Sequence, residues 1–360
     1  MISPELAERR GKLASELSSL KIDAFLVSAL PNIRYLSGFT GSNALLLLGP
    51  QDATLFTDPR YGIQAPVESD CAITVAKRSL VPAALAVIHR RRWRRIGFER
   101  SRISYSDYAE MEEKLPAGAS LRPVQAIVER HRMVKSKAEI EMIRRSVLTN
   151  SLAYENTVRK MKPSMREADL AAELEYQMRR AGAAKTAFET IVASGPRSAL
   201  PHAQPTTNTI SNDQLLLVDM GAMQDGYASD MTRMMHLGKP GTRARKLYKA
   251  VLEAQLAALS AVREGATAAS VDRKARQVLK AHGYDKLFVH STGHGLGLEI
   301  HEAPRLGKTD RTPLESGMAI TIEPGAYIEG FGGVRIEDTV LVTKTGCEVL
   351  TPTSKDLLVM

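Results

Sequence analysis

With 360 residues, 44% of them hydrophobic and 25% charged, the chain has the composition of an ordinary globular protein longer than one typical domain, so two domains are expected. Residues 1–19 carry Glu5, Glu8 and Glu16 and lack the unbroken apolar core of an export signal, while the apolar run at residues 44–48 falls far short of the roughly 20 residues that cross a bilayer. A soluble cytoplasmic protein with no membrane partner is the expectation. The net charge of +9 is densest at residues 89–95, a basic run that reads as a solvated helix end; no nucleic-acid motif accompanies it, so no nucleic-acid partner is expected.

In chain order, residues 5–20 read as an amphipathic helix and residues 24–27 as a short buried strand. Short apolar runs at 44–48, 53–56, 73–75 and 96–98 then alternate with helical stretches near 60–68, 79–92 and 104–115. Such alternation predicts an α/β layer with a partly parallel sheet. This region clusters few histidines or acids, which suits a support or assembly domain. Cys71 and Cys347, far apart and without CxxC spacing, suggest neither a disulfide framework nor a thiolate zinc site.

The character changes near residue 127, which divides an expected N-terminal domain, 1–127, from a catalytic domain, 128–360. A long charged helix is predicted over 135–160 and further helices near 166–182, 241–263 and 268–282, with strands and hairpins between them. A mixed α+β domain follows from that order.

Four carboxylates in this second part stand in or at the end of apolar runs. Asp219 ends the run from Leu215, and after a turn at Asp225-Gly226 the chain returns through Asp230, so that a hairpin would place the two on adjacent strands. Glu323 follows Ala319-Ile-Thr-Ile, and Glu337 interrupts Gly333-Val-Arg-Ile-Glu-Asp-Thr-Val340. A carboxylate within an apolar strand costs several kcal/mol of desolvation unless a cation compensates it. Joined by His294, within Thr292-Gly-His-Gly-Leu-Gly-Leu298, the four are better explained by shared divalent cations than by four separate ion pairs. An oxygen-rich set with one imidazole suits Mn²⁺, Fe²⁺, Co²⁺ or Zn²⁺. Two ions are expected, since bridging carboxylates would overfill one site, and a pair about 3.5–4 Å apart activates a bridging water and polarises a carbonyl. Gly293, Gly295 and Gly297 read as room for substrate. The methionines at 220, 223, 231, 234 and 235 read as core packing, because sulfur suits hard cations poorly.

The order Asp219, Asp230, His294, Glu323-Pro-Gly and Arg335-Ile-Glu337-Asp resembles the metallopeptidases of the pita-bread fold. Leu200-Pro-His202, His290-Ser-Thr-Gly-His294, His301-Glu-Ala-Pro304 and Gly332-Gly-Val-Arg-Ile-Glu337 look like aminopeptidase P and prolidase, and Asn32-Ile-Arg-Tyr-Leu-Ser-Gly-Phe-Thr-Gly41 with Thr57-Asp-Pro-Arg-Tyr61 resembles the creatinase-type N-terminal domain. The resemblance implies a dinuclear metallo-exopeptidase that cuts the Xaa-Pro bond of short proline-containing peptides by attack of a metal-bridging hydroxide, an Xaa-Pro aminopeptidase first and an Xaa-Pro dipeptidase as the alternative. A metal-free binding protein of the same fold is the distant alternative. Asp219, Asp230, His294, Glu323 and Glu337 are the implied ligands, with Mn²⁺ the foremost metal. Glu323 would also carry the proton of the attacking water, and His202, His290 and His301 would bind the carbonyl and its oxyanion. Arg335 would grip a nearby or a substrate carboxylate through two parallel hydrogen bonds. By the same resemblance the protein is a homodimer, and a dipeptidase would hold the free C-terminal carboxylate with an arginine between His301 and Glu323, where Arg305 and Arg311 both lie.

Overall fold

The computed structural model describes residues 3–162 and 164–360, which divide into two compact units after Arg132. The expected boundary at residue 127 falls at the start of helix Ile127–Met133, most of which packs with the first unit.

The first unit is one six-stranded sheet of β1 (Ala24–Val27), β2 (Ala44–Leu48), β3 (Ala53–Thr57), β4 (Ala72–Val75), β5 (Arg95–Glu99) and β6 (Ser120–Val124), in the order β4-β3-β2-β1-β5-β6. β1 and β2, apolar throughout and buried throughout, occupy the middle, while β4 and β6 form the exposed edges. β1 runs parallel to β5 and antiparallel to β2, giving the mixed sheet that the alternation implies. Helices α1 (Pro4–Glu16), α2 (Leu30–Ser37), α3 (Gln64–Glu68), α4 (Leu80–Arg91), α5 (Tyr105–Lys114) and α6 (Ile127–Met133) complete it. The first residues of the basic run, His89, Arg90 and Arg91, form the last turn of α4, where cations suit the negative end of the helix dipole. Glu99, buried on β5, accepts from the N–H groups of Ser28 and Ala29 and from Asn32 Nδ2, so the Asn32 motif ties α2 to the sheet.

The second unit begins with α7 (Lys137–Val158), opened by a Ser136–Glu139 capping box, and α8 (Glu167–Arg180). Strands β7 (Lys185–Thr186), β8 (Ile191–Ser194), β9 (Gln214–Met220), β10 (Ala222–Gln224), β11 (Tyr227–Ala228) and β12 (Met231–Leu237) follow, then α9 (Thr242–Ala261) and α10 (Ala268–Ala281). β13 (Gly293–Gly295), β14 (Glu302–Leu306), β15 (Ala319–Ile322), β16 (Gly325–Ile328), β17 (Gly332–Arg335), β18 (Asp338–Val342), β19 (Cys347–Val349) and β20 (Leu358–Val359) close the chain. The main sheets run β20-β12-β9-β8 and β14-β13-β15-β18-β19.

β9 shows why the core has two halves. Leu215 and Leu217 face a cluster containing Leu247, Val251 and Ala254 of α9, whereas Leu216, Val218 and Met220 face Leu170, Leu174 and Met178 of α8. Alternation along a strand sends successive side chains to opposite faces, so the all-apolar strand is covered by helices on both sides. Met220, Met231, Met234 and Met235 lie in these cores. No helix among the described residues is long and apolar enough to cross a membrane.

Candidate metal centre

Two hairpins deliver the four carboxylates. In the first, β9 pairs antiparallel with β12, with Asp219 opposite Thr232, so Asp230 stands just beyond the end of β12 and beside the end of β9. The connecting turn is built by Asp225 and Gly226, both at positive φ (51° and 80°), the geometry of a two-residue hairpin loop. In the second, β15 pairs with β18 and β16 with β17, and the register runs on without a slip from Ala319 opposite Leu341 to Ile328 opposite Gly332. Glu323-Pro324 and Ile336-Glu337 lie where this long hairpin passes from one sheet to the other. Glu323 and Glu337 therefore face each other at an interruption of the ladder, where the side chains turn into the cavity rather than into either core.

His294 comes from β13, opposite Arg305 on β14, with a bulge after it. Its flanking glycines are required by the backbone: a Cβ at Gly293 would strike the carbonyl of Thr321, and one at Gly295 the carbonyl of Ala303. That corrects their reading as room for substrate. His294 Nδ1 lies 2.9 Å from the carbonyl of Gly295, which can only accept, so Nδ1 donates there and Nε2 is the atom turned to the carboxylates. Nε2 is 3.5 Å from Asp230 Oδ2 and 3.4 Å from Glu323 Oε1. One ligand atom each of Asp230, His294 and Glu337 falls within 4.8 Å of the others.

The electrostatics fit a cation at this place. Burial, then Asp219 and Glu323, push the Asp230 carboxyl well above its usual range; burial, then Asp230, Glu323 and Asp219, do the same to Glu337. Burial also raises Glu323, against the pull of His294 and Arg335. Asp219 Oδ1 and Glu337 Oε1 are buried and accept no hydrogen bond. Crowded buried carboxylates, two of them with an orphaned oxygen, beside an imidazole nitrogen are a hard-cation donor set.

Arg335 is buried and spends its donors on the protein: Nη2 to Asp219 Oδ2 (2.5 Å), Nε to Thr232 Oγ1 (3.0 Å), and Nη1 to the Tyr327 hydroxyl (2.8 Å) and the Pro201 carbonyl (3.2 Å). Of the two carboxylates anticipated for it, the nearby one is the partner. His290 is similarly committed. Its Nδ1 faces the Ser291 carbonyl and its Nε2 the Tyr327 hydroxyl, each at 2.8 Å, and burial together with the Arg335 charge lowers its pKa to about 4. A neutral ring with Nδ1–H must accept at Nε2, so Tyr327, whose phenol burial pushes up to about 12, donates there. His202 and His301 are exposed at the cavity wall, and the His301 ring sits edge-on to His294 at 4.5 Å.

All nine sequence-predicted residues line or underlie one cavity of about 590 Å³. Residues that sequence reasoning passed over support it. Thr232 Oγ1 donates to Glu337 Oε2 (2.7 Å), Thr321 Oγ1 donates to Glu323 Oε1 (3.2 Å), Thr339 Oγ1 donates to the Asp230 carbonyl (2.9 Å), and Tyr327 joins Arg335 to His290. A signal for two of them was present: Thr232 and Thr321 lie two residues from Asp230 and Glu323, the same-face spacing of a strand. Arg305 lines the cavity with, among the described residues, only its Nε engaged, to Ser291 Oγ at 3.3 Å, whereas Arg311 is not among the lining residues.

Comparisons with known proteins agree with this geometry. Residues 141–344 match the model of metallopeptidase family M24, and residues 9–134 that of the creatinase/prolidase N-terminal domain. An Xaa-Pro dipeptidase of Pyrococcus furiosus is 37% identical over 98% of this chain and 100% of its own length. Among solved structures, the Xaa-Pro dipeptidase from Bacillus anthracis superposes with a TM-score of 0.96 at 36% identity, covering 99% of this chain and 100% of that one. An X-Pro aminopeptidase from Thermotoga maritima gives 0.89 at 35% identity, covering 95% and 99%. The chain belongs to metallopeptidase family M24, a metallo-exopeptidase whose pita-bread catalytic domain follows a creatinase/prolidase N-terminal domain in the sequence.

Proposed function

We propose that the protein is an Xaa-Pro dipeptidase, acting in the cytoplasm as a homodimer on short proline-containing peptides. Asp219, Asp230, His294, Glu323 and Glu337 hold two divalent cations, Mn²⁺ foremost. Bound there, such cations would supply Lewis-acid chemistry at the substrate carbonyl and at the attacking water. Glu323 takes the proton from that water and returns it to the proline nitrogen as the C–N bond breaks. His202 and His301, exposed at the cavity wall, hydrogen-bond the carbonyl oxygen as it gains charge. Arg335 fixes the orientation of Asp219, and His290, held through Tyr327, positions Arg335 in turn.

Arg305 carries the choice of dipeptidase over aminopeptidase. It stands opposite His294 in the ladder, lines the cavity and leaves both Nη groups unengaged among the described residues, the fork that a free C-terminal carboxylate requires. The dipeptidase names of the relatives support the same reading. The aminopeptidase reading rests on the Thermotoga maritima likeness. Hydrolysis of Ala-Pro beside Ala-Pro-Ala with Mn²⁺, followed by release of alanine, separates them. Ala-Pro alone is expected to be cleaved; efficient cleavage of the tripeptide makes the enzyme an aminopeptidase. Light scattering should give twice the chain mass, and a monomer mass refutes the homodimer.

A further inference from the structure

Beyond the metal ligands, their supports and Arg305, given above to the substrate carboxylate, the cavity lining carries two charged side chains, Glu189 and Glu302. Glu302 is not free, since it accepts from Lys135 Nζ at 3.2 Å. Among the described residues nothing hydrogen-bonds or ion-pairs with the Glu189 carboxylate, which is exposed at the wall. Its position is nevertheless firmly set. Upstream, β7 pairs with β10 and the N–H of Ala187 donates to the Gly221 carbonyl at 2.8 Å; downstream, Ile191 on β8 lies opposite Asp219. Between these anchors the Phe188 ring packs on Gly221, in the space that a Cβ there would take. Glu189 stands between Phe188 and Ile191 in the chain, and these two, with Ile300, are apolar members of the same cavity lining.

Apolar lining residues beside an unpaired, solvent-reached carboxylate match a side chain with a long aliphatic stem and a cationic head. Lysine and arginine have that form. We propose that Glu189 is a specificity-determining residue that receives the cationic side chain of lysine or arginine at the position before proline, an inference that rests on the Xaa-Pro reading above. The substrate α-ammonium is the competing occupant. It is common to every Xaa-Pro peptide, so a carboxylate serving it would affect all substrates alike, whereas one serving the side chain discriminates among them.

The test compares kcat/KM for Lys-Pro, Leu-Pro and Glu-Pro with the Mn²⁺-loaded full chain, E189Q and E189K. The Lys-Pro to Leu-Pro ratio should fall about tenfold in E189Q, the size of a lost charged contact at a partly exposed site. In E189K the Glu-Pro to Leu-Pro ratio should rise. Equal losses on all three substrates would overturn the proposal and give Glu189 to the α-ammonium or to the wall itself. Calorimetric binding of the uncleavable reduced-bond analogues of Lys-Pro and Leu-Pro to the same proteins keeps the two hypotheses apart. If no Xaa-Pro peptide is hydrolysed, the dipeptidase reading fails, yet a lysine preference in binding that E189Q removes would sustain the role of Glu189, and its absence in the wild type would overturn it.

Discussion

Glu337 and Asp338 are consecutive buried carboxylates, and they leave the chain into opposite environments. Asp338 accepts from Arg233 Nη2 (2.8 Å), Lys355 Nζ (2.7 Å) and Gln255 Nε2 (2.8 Å), so two cations answer one anion. Glu337 accepts from Thr232 at one oxygen, has no partner at the other, and is surrounded by Asp230, Glu323 and Asp219. The difference separates two uses of a buried charge. A carboxylate kept for architecture brings its cations within the fold, whereas one kept for a ligand leaves that charge to be supplied from outside.

The largest break in this comparison should come from Glu337→Gln. Hydrolysis of Ala-Pro should fall by at least about 10³-fold, about 4 kcal/mol of transition-state stabilisation, because the cation set loses a central ligand. In the absence of metal, the same change should raise the thermal midpoint at neutral pH. The carboxyl is held above its usual range in the folded state, so its ionised form opposes folding above the unfolded pKa and the isosteric amide removes that opposition. Melting in chelator, with and without the substitution, reads this directly; a destabilised variant would show that Glu337 is an architectural carboxylate after all.

Asp338→Asn sharpens the contrast from the other side. Arg233 and Lys355 would remain buried or half-buried beside a neutral partner, and loss of one member of such a network costs about 3 kcal/mol. Urea unfolding should show that loss in metal-free and Mn²⁺-loaded protein alike. A change below about 1 kcal/mol would mean that the two cations find other partners or water.

The same contrast explains what could be read from the sequence. Asp219, Asp230, Glu323 and Glu337 stand out because each sits within or beside an apolar run, and the helices of both units carry clear periodicity. Asp338, next in the chain, looks equally conspicuous, and only the position of Arg233, Lys355 and Gln255 tells it apart. Side-chain contacts between elements distant in sequence supply that information, Arg233 with Asp338 over 105 residues and Arg335 with Asp219 over 116. For the same reason Arg335 had two possible partners in the sequence and has one in the fold. Helix α2 is not among the helices expected from the sequence, although Pro31 is well placed in its first turn.

Glu167 offers the smallest effect and the test with a pH signature. It is fully buried at the start of α8, and its carboxylate accepts from the N–H and hydroxyl of Ser194, the N–H and hydroxyl of Thr206, and Arg197 Nε. Burial works against ionisation, but the donors from Ser194 and Thr206 outweigh it and hold the carboxyl below its usual range. Its stabilisation is therefore complete above the unfolded pKa of about 4.3 and is lost as pH falls through the lower folded value. Glu167→Gln turns one acceptor into a donor facing donors and should cost about 1–2 kcal/mol at neutral pH. Urea midpoints of the two proteins should converge as the solution is acidified below about pH 4. A gap that stays constant would mean that the shape of the side chain, not its charge, holds residues 194–206. That segment carries Pro201, whose carbonyl accepts from Arg335, and His202, so the architectural carboxylate at Glu167 also supports one wall of the metal cavity.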